Sequence, residues 1–316
     1  MTNAGANKFL IVNVGDIKPA EIGLEFAMRF AYRASDYGES NVDAFVTNLA
    51  ARDFSPDLAP EIADIVMRYF QLNIARRPEF MSKGIYSVIN YGDEAHRRLA
   101  ELAALLERAE SISRKLPAER VDAFYEMVLF PLRASKLTVQ KFVAADLTGV
   151  YAAQGRRKSV TLHQDAAKAA HSAVLAELDY YNTQLASGKW NKIMNPFNTQ
   201  QPTIDGLPAL SDAPAAVTGS ALGVVVEGQA TEAAAATLRF SAYTQDVRFL
   251  DIFTKTDATF NWSASTSNDW IQPDQSSGTI QDEQRLQVGI DWAKVPQGDS
   301  TGTSPSPGPP RPGPSP

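Results

Sequence analysis

FLIVNVGDIKPAE, residues 9–21, joins an unbroken apolar run to a cluster of charges around a proline. The run from Phe9 to Val12 does not alternate with polar residues, so it suits a strand covered on both faces, as in a parallel sheet. Such sheets bind ligands beyond the carboxyl ends of their strands, and that is where the sequence sets Asp16, Lys18 and Glu21. A parallel strand needs neighbours, and eight residues precede this one, so the chain is expected to open inside a domain.

Downstream of Pro19, a good first-turn residue, Ile22, Leu24, Phe26, Ala27 and Phe30 have helical period. Ala34 to Ala59 is mixed, with room for one short helix. A stronger pattern begins near Pro60 with Ile62, Ile65, Val66, Tyr69 and Phe70, and runs to Asn73. Arg76 and Arg77 follow, and read as helix-dipole or salt-bridge partners rather than a carboxylate clamp. Three long helical patterns then cover Tyr86 to Ser187 and predict an antiparallel bundle. Pro117 and Gly188 stop two of them, and Pro131 is expected to kink the middle one.

The remainder changes character. Asn195 to Thr237 is a linker rich in Pro, Ala, Gly and Thr, with one apolar run at Leu222 to Val226. Short strand patterns follow in FLDIF (249–253), FNWSAS (260–265) and DWIQPDQSSGTI (269–280). In RLQVGIDW (285–292), Leu286, Val288, Ile290 and Trp292 alternate onto one face. They predict a β-sandwich or part of one. Trp262, Trp270 and Trp292 read as core residues, the alternative being platforms for sugar faces. The closing TSPSPGPPRPGPSP is expected to be extended or disordered.

With 316 residues, 44% hydrophobic and 21% charged, the chain has material for two or three units. A net charge of -6 gives no general attraction to nucleic acid or to an anionic membrane. Cysteine is absent, which excludes disulfides, thiolate catalysis and Cys-type zinc sites. His96, His163 and His171 lack the four-residue spacing of a helical zinc pair, so no metal and no cofactor are expected. The opening MTNAGANK lacks the apolar core of a signal peptide, and no run has the length of a membrane span. One sequon, Asn261-Trp262-Ser263, permits glycosylation on secretion.

The succession VNVGDIKPAE (12–21), YFQLNIARRPEF (69–80), YSVINYGDEAHRR (86–98), LPAERVDAFYEMVLFPLRASK (116–136), YAAQGRRKS (151–159) and YNTQLASGKWNKIM (181–194) resembles glycoside hydrolase family 115, the xylan α-1,2-glucuronidases. FLDIF, FNWSAS, DWIQPDQSSGTI and LQVGIDWAKVP (286–296) resemble a small β-sandwich of the same enzymes. The resemblance implies a multidomain α+β chain: the end of a catalytic (β/α)8 barrel with following helices at 1–85, a helical bundle at 86–194, a linker with a strand at 195–240, a partial β-sandwich at 241–303 and a disordered tail at 304–316. It further implies removal of glucuronic acid, or its 4-O-methyl form, from glucuronoxylan or glucurono-xylooligosaccharides, with inversion. A homodimer and an extracellular full-length enzyme are also implied. A barrel takes about 250 residues, so this chain is expected to be inactive alone. A non-catalytic carbohydrate-binding or scaffold protein, using Trp262 and Trp270, is the alternative.

By resemblance Glu21, in the KPxE motif, is a catalytic carboxylate, and Asp16 is the second candidate. Lys18 would orient them, and Tyr69 and Asn73 would line the sugar site. Without the resemblance, Asp16 reads equally as a helix cap and Glu21 as a charge favouring a helix N-terminus. Asp16 and Glu21 need not be the acid and base themselves; the partner is expected from an earlier barrel strand.

Overall fold

The computed structural model describes residues 5, 8–14, 17–37, 41–194, 206–218, 222–233 and 236–304. Asp16, much of the linker and the tail from 305 onward lie outside them. The chain divides into two compact units. One comprises residues 1–82, 98–140 and 169–207, the other 83–97, 141–168 and 208–316.

Helices build the first unit. They are α1 (Glu21–Tyr32), α2 (Val42–Asp53), α3 (Ala59–Ala75), α5 (Ala118–Phe124) and parts of α4 (Glu94–Ser113), α6 (Phe130–Gln154) and α7 (Arg157–Thr183). Pro60 stands in the first turn of α3, where its missing N–H is not needed. Ile62, Ile65 and Val66 of the same helix are buried, while Phe70 is exposed. In α4 the buried residues Leu102, Leu105, Ala109 and Ile112 keep the three- and four-residue spacing of one helical stripe. Phe26 of α1 packs edge-on against Phe45 of α2, with centroids 5.2 Å apart.

One expectation is corrected here and another refined. The run at 9–14 forms no strand, and Phe9 and Ile11 are each 82% exposed. A strand exists only through a neighbour that takes up its N–H and C=O groups, and no strand pairing with this run occurs among the described residues. An apolar run alone therefore does not make one. At Pro131 the expected kink is refined, since the helix is irregular just ahead of it. A π-turn, Tyr125–Leu129, precedes it and joins α5 to α6. Proline cannot donate to the carbonyl four residues back and its ring crowds that carbonyl, and the wider turn immediately upstream relieves the conflict.

Among the described residues the second unit contains six antiparallel strands: β1 (Leu222–Val226), β2 (Arg248–Thr254), β3 (Phe260–Ser263), β4 (Ile271–Pro273), β5 (Ser277–Ile280) and β6 (Glu283–Ile290). Four form a sheet of order β1-β2-β6-β4, and β3 pairs with β5 in a second sheet. Ile252 and Leu286 from the first sheet and Trp262 and Ile280 from the second make one apolar core. Trp262 is 1% exposed and its indole N–H donates to Gln284 Oε1 at 3.0 Å. Trp270 and Trp292 are only half-buried, and Trp292 lies beyond the end of β6. Gly223 faces Phe253 in the β1–β2 ladder, where a Cβ would meet the ring at 2.3 Å, so no larger residue fits.

The same unit holds a buried ionic network. Arg156, 1% exposed, lies over the rings of Tyr151 and Phe253 at 4.3 and 4.1 Å. It donates to Asp251 Oδ2 at 3.1 Å and to Glu283 Oε2 at 3.0 Å. Arg285 donates through Nε to Asp251 Oδ1 at 2.7 Å, pairs with Asp93 and lies over Phe249. Burial disfavours ionised Asp93, but the hydrogen bond from His96 and the nearby Arg285 charge outweigh it and hold the carboxyl below its usual range.

Candidate functional site

The charged end of the opening stretch forms a cluster within the helical unit. Lys18 sits in the turn that Ala20 N–H closes onto Ile17 O at 2.9 Å, and Glu21 opens α1. The Lys18 ammonium donates to Glu21 Oε1 and also to Glu126 Oε1. It lies 4.2 Å from the centre of the Trp190 ring. These contacts hold Lys18 within the protein, with 17% of its side chain exposed.

Glu126 belongs to the π-turn. Four of that turn's five residues are buried, including Glu126 itself. One extra residue per turn shifts the helical register, which lets this carboxyl face inward from an otherwise apolar segment. Trp190 follows a backbone reversal in which Ala186, Ser187 and Gly188 have φ of 48°, 57° and 76°. Two successive non-glycine residues in the left-handed region carry strain that the surrounding structure must hold. Asn182 helps to hold it, accepting from Met194 N–H at 3.0 Å and donating to Met194 O.

Electrostatics separate the two carboxyls. Burial and the adjoining Glu21 carboxyl push Glu126 up to about 7, against the opposing pull of Lys18. For Glu21 burial works in the same upward direction, but hydrogen bonds from Glu126 and Lys18 outweigh it and the carboxyl lies below its usual range. The two carboxyls thus titrate as one coupled pair, with Glu126 pushed up and Glu21 held down beside the ammonium. Two atoms of this cluster are buried without a hydrogen-bond partner among the described residues: Glu21 Oε2 and the hydroxyl of Tyr181. Burial and the neighbouring Glu126 and Glu21 charges also raise the Tyr181 hydroxyl.

This geometry limits the chemistry. Two oxygens bound to one ammonium lie at most about 6 Å apart, whereas an inverting acid and base stand roughly 6.5–9.5 Å apart to admit water. Glu21 and Glu126 thus act as one coupled unit and not as opposite walls of an inverting site.

The other sequence-derived candidates lie elsewhere. Tyr69 lines a cavity of 240 Å³ with Pro19, Ile22, Ile65, Met127 and Pro131. Its hydroxyl meets Ser135 Oγ at 3.4 Å, and burial raises its pKa. The cavity is largely apolar and adjoins the segment bearing Lys18 and Glu21. Asn73 is buried, donating to Tyr69 O at 3.1 Å and accepting from Arg98 at 3.4 Å. Arg76 donates to Phe80 O at 2.7 Å, and Arg77 lies over the Phe80 ring, so both fasten the turn after α3. Among the described residues no group of three or more His, Asp or Glu could hold a metal, and no helix is long and apolar enough to cross a membrane.

Sequence reasoning passed over Glu126, Tyr181 and Trp190. The signal for Glu126 was a single carboxylate inside FYEMVLF, residues 124–130, just ahead of Pro131. For Trp190 no local signal existed, since its role comes from the reversal at 186–188.

Residues 1–80 match the model described as Glycosyl hydrolase family 115. No curated protein matches the chain. The matched segment contains Lys18, Glu21, Tyr69 and Asn73, and ends before Glu126 and Trp190.

Proposed function

We propose, from the premise that residues 1–80 belong to glycosyl hydrolase family 115, that the chain is part of an enzyme removing glucuronic acid or its 4-O-methyl form from xylan with inversion. The observation that carries this reading is the junction of the family segment with a coupled carboxyl pair, one member of which is pushed up to about 7. Glu21 is the reacting carboxyl. It lies in the family-matched segment and its side chain is the less buried of the two, 26% exposed against 8% for Glu126, although its Oε2 is covered. Lys18 holds it, Tyr69 contributes a wall nearby, and Asp16 remains the second candidate.

An inverting reaction requires an opposite carboxyl, and Glu126 stands too close to Glu21 to be it. The partner is proposed to lie outside the described residues. The enzyme is accordingly proposed to act outside the cell, on xylan-derived polymer or oligosaccharide. Trp262, locked in the core, offers no surface to a sugar, so of the two tryptophans behind a carbohydrate-binding role only half-buried Trp270 supports it.

Release of uronic acid from glucuronoxylan tests the proposal. The chain alone is expected to release none, and the enzyme of which it is proposed to be a part is expected to release it. In that enzyme E21Q should lower the rate by about 10²–10⁴, the range a general acid or base supplies. An unchanged rate in E21Q would contradict the assignment.

A further inference from the structure

Glu126 lies 105 positions beyond Glu21 and outside the family-matched segment, yet it binds the same ammonium. Lys18 has three directions of contact, to Glu21, to Glu126 and to the Trp190 ring. A flexible lysine stem with one carboxylate partner can swing with it. Held at three points, it cannot, and Glu21 inherits the restriction. The π-turn brings Glu126 inward to make this possible, at a location where Pro131 already requires an irregular turn.

We propose that Glu126 is a positioning residue: through the shared Lys18 ammonium and its direct contact with the other carboxyl, it fixes Glu21 in one orientation. The KPAE segment supplies the carboxyl, and the turn at 125–129 aims it. This rests on the reading of Glu21 as the reacting carboxyl only for its consequence in hydrolysis, since the coupling itself is a property of the folded chain. The titratable groups facing the pair are Lys18 from the turn before α1, Tyr125 beside Glu126 in the π-turn, and Tyr181 from α7. Tyr125 is turned to another partner, donating to Glu177 Oε2 at 2.6 Å.

The test is a ¹³C-carboxyl NMR titration of the chain, with the Glu21 and Glu126 signals assigned by their loss in E21Q and E126Q. E126L keeps the buried volume but removes the polar partner, a replacement that buried ionic sites commonly tolerate. In E126L the Glu21 midpoint should rise by about one pH unit. E126Q, whose amide can still donate to Glu21, should restore most of the difference. A Glu21 midpoint in E126L equal to that of the unaltered chain would overturn the proposal, as would a rise that E126Q does not restore. Unfolding of both variants by circular dichroism would also overturn it, because Glu126 would then serve the fold alone. None of these readings requires hydrolysis, so they are separate from the fate of E21Q in the activity assay.

Discussion

Two buried ionic clusters, one in each unit, are solved in opposite ways. In the sheet unit, two guanidiniums face Asp93, Asp251 and Glu283, and each guanidinium is also stacked on aromatic rings. Arginine's planar, permanently charged fork suits this, giving several directed bonds at once. In the helical unit a single lysine serves two carboxyls, and burial with the adjoining Glu21 carboxyl pushes Glu126 up to about 7. The first arrangement fixes an architecture. The second leaves a group whose charge changes near neutral pH, which is what acid–base chemistry needs.

The largest effect should come from breaking the arginine network. Arg156→Met retains packing against Tyr151 and Phe253 but leaves Asp251 with Arg285 alone and takes the guanidinium from Glu283, and should cost about 3 kcal/mol in urea denaturation. A loss below about 1 kcal/mol would erase the contrast, since surface pairs do as much. Lys18→Met is expected to cost less, about 2 kcal/mol at pH 7 by the same measurement. Glu126 can be protonated, which softens the loss.

The pH profile sharpens the comparison further. The folded-state pKa of Glu126, about 7, lies above its usual value of 4.5. Its contribution to stability is therefore complete below pH 4.5 and is lost as pH rises through 7. Glu21, held low, works the other way: its contribution is present above its ordinary pKa and is lost only as pH falls through the depressed value. Between pH 5 and 8 the unaltered chain should lose stability relative to E126Q by about 2 kcal/mol, measured by denaturation at each pH. The smallest effect concerns the loop that carries Trp190. Ser187→Gly should stabilise by about 0.5 kcal/mol, because glycine meets no Cβ penalty at a φ of 57°. A destabilised S187G would show that the serine side chain holds the reversal.

Local pattern made much of the architecture legible. The stripes in α3 and α4, the stop at Gly188 and the alternation of Leu286 and Val288 depend on neighbours in sequence, and these features can be read without tertiary knowledge. Where readings failed, a non-local partner decided the outcome. Phe9 to Val14 has strand composition, but composition does not provide the adjacent strand. Trp262 and Trp270 look alike in sequence, and only the meeting of two sheets buries one and leaves the other half-covered. At the candidate site, Lys18 and Glu21 were visible as a motif. Glu126 was not, because its pairing joins positions far apart and because a π-turn alters which way a helical residue faces.

The coupled carboxyls of the Lys18 cluster are expected to carry a group that titrates near neutral pH, with Glu126 pushed up to about 7. The most direct measurement is the ¹³C carboxyl shift of Glu126 across this range. The claim predicts a protonated-acid shift at pH 6, moving to a carboxylate shift by pH 8 with a midpoint of about 7. A Glu126 signal already fully ionised at pH 5 would contradict it.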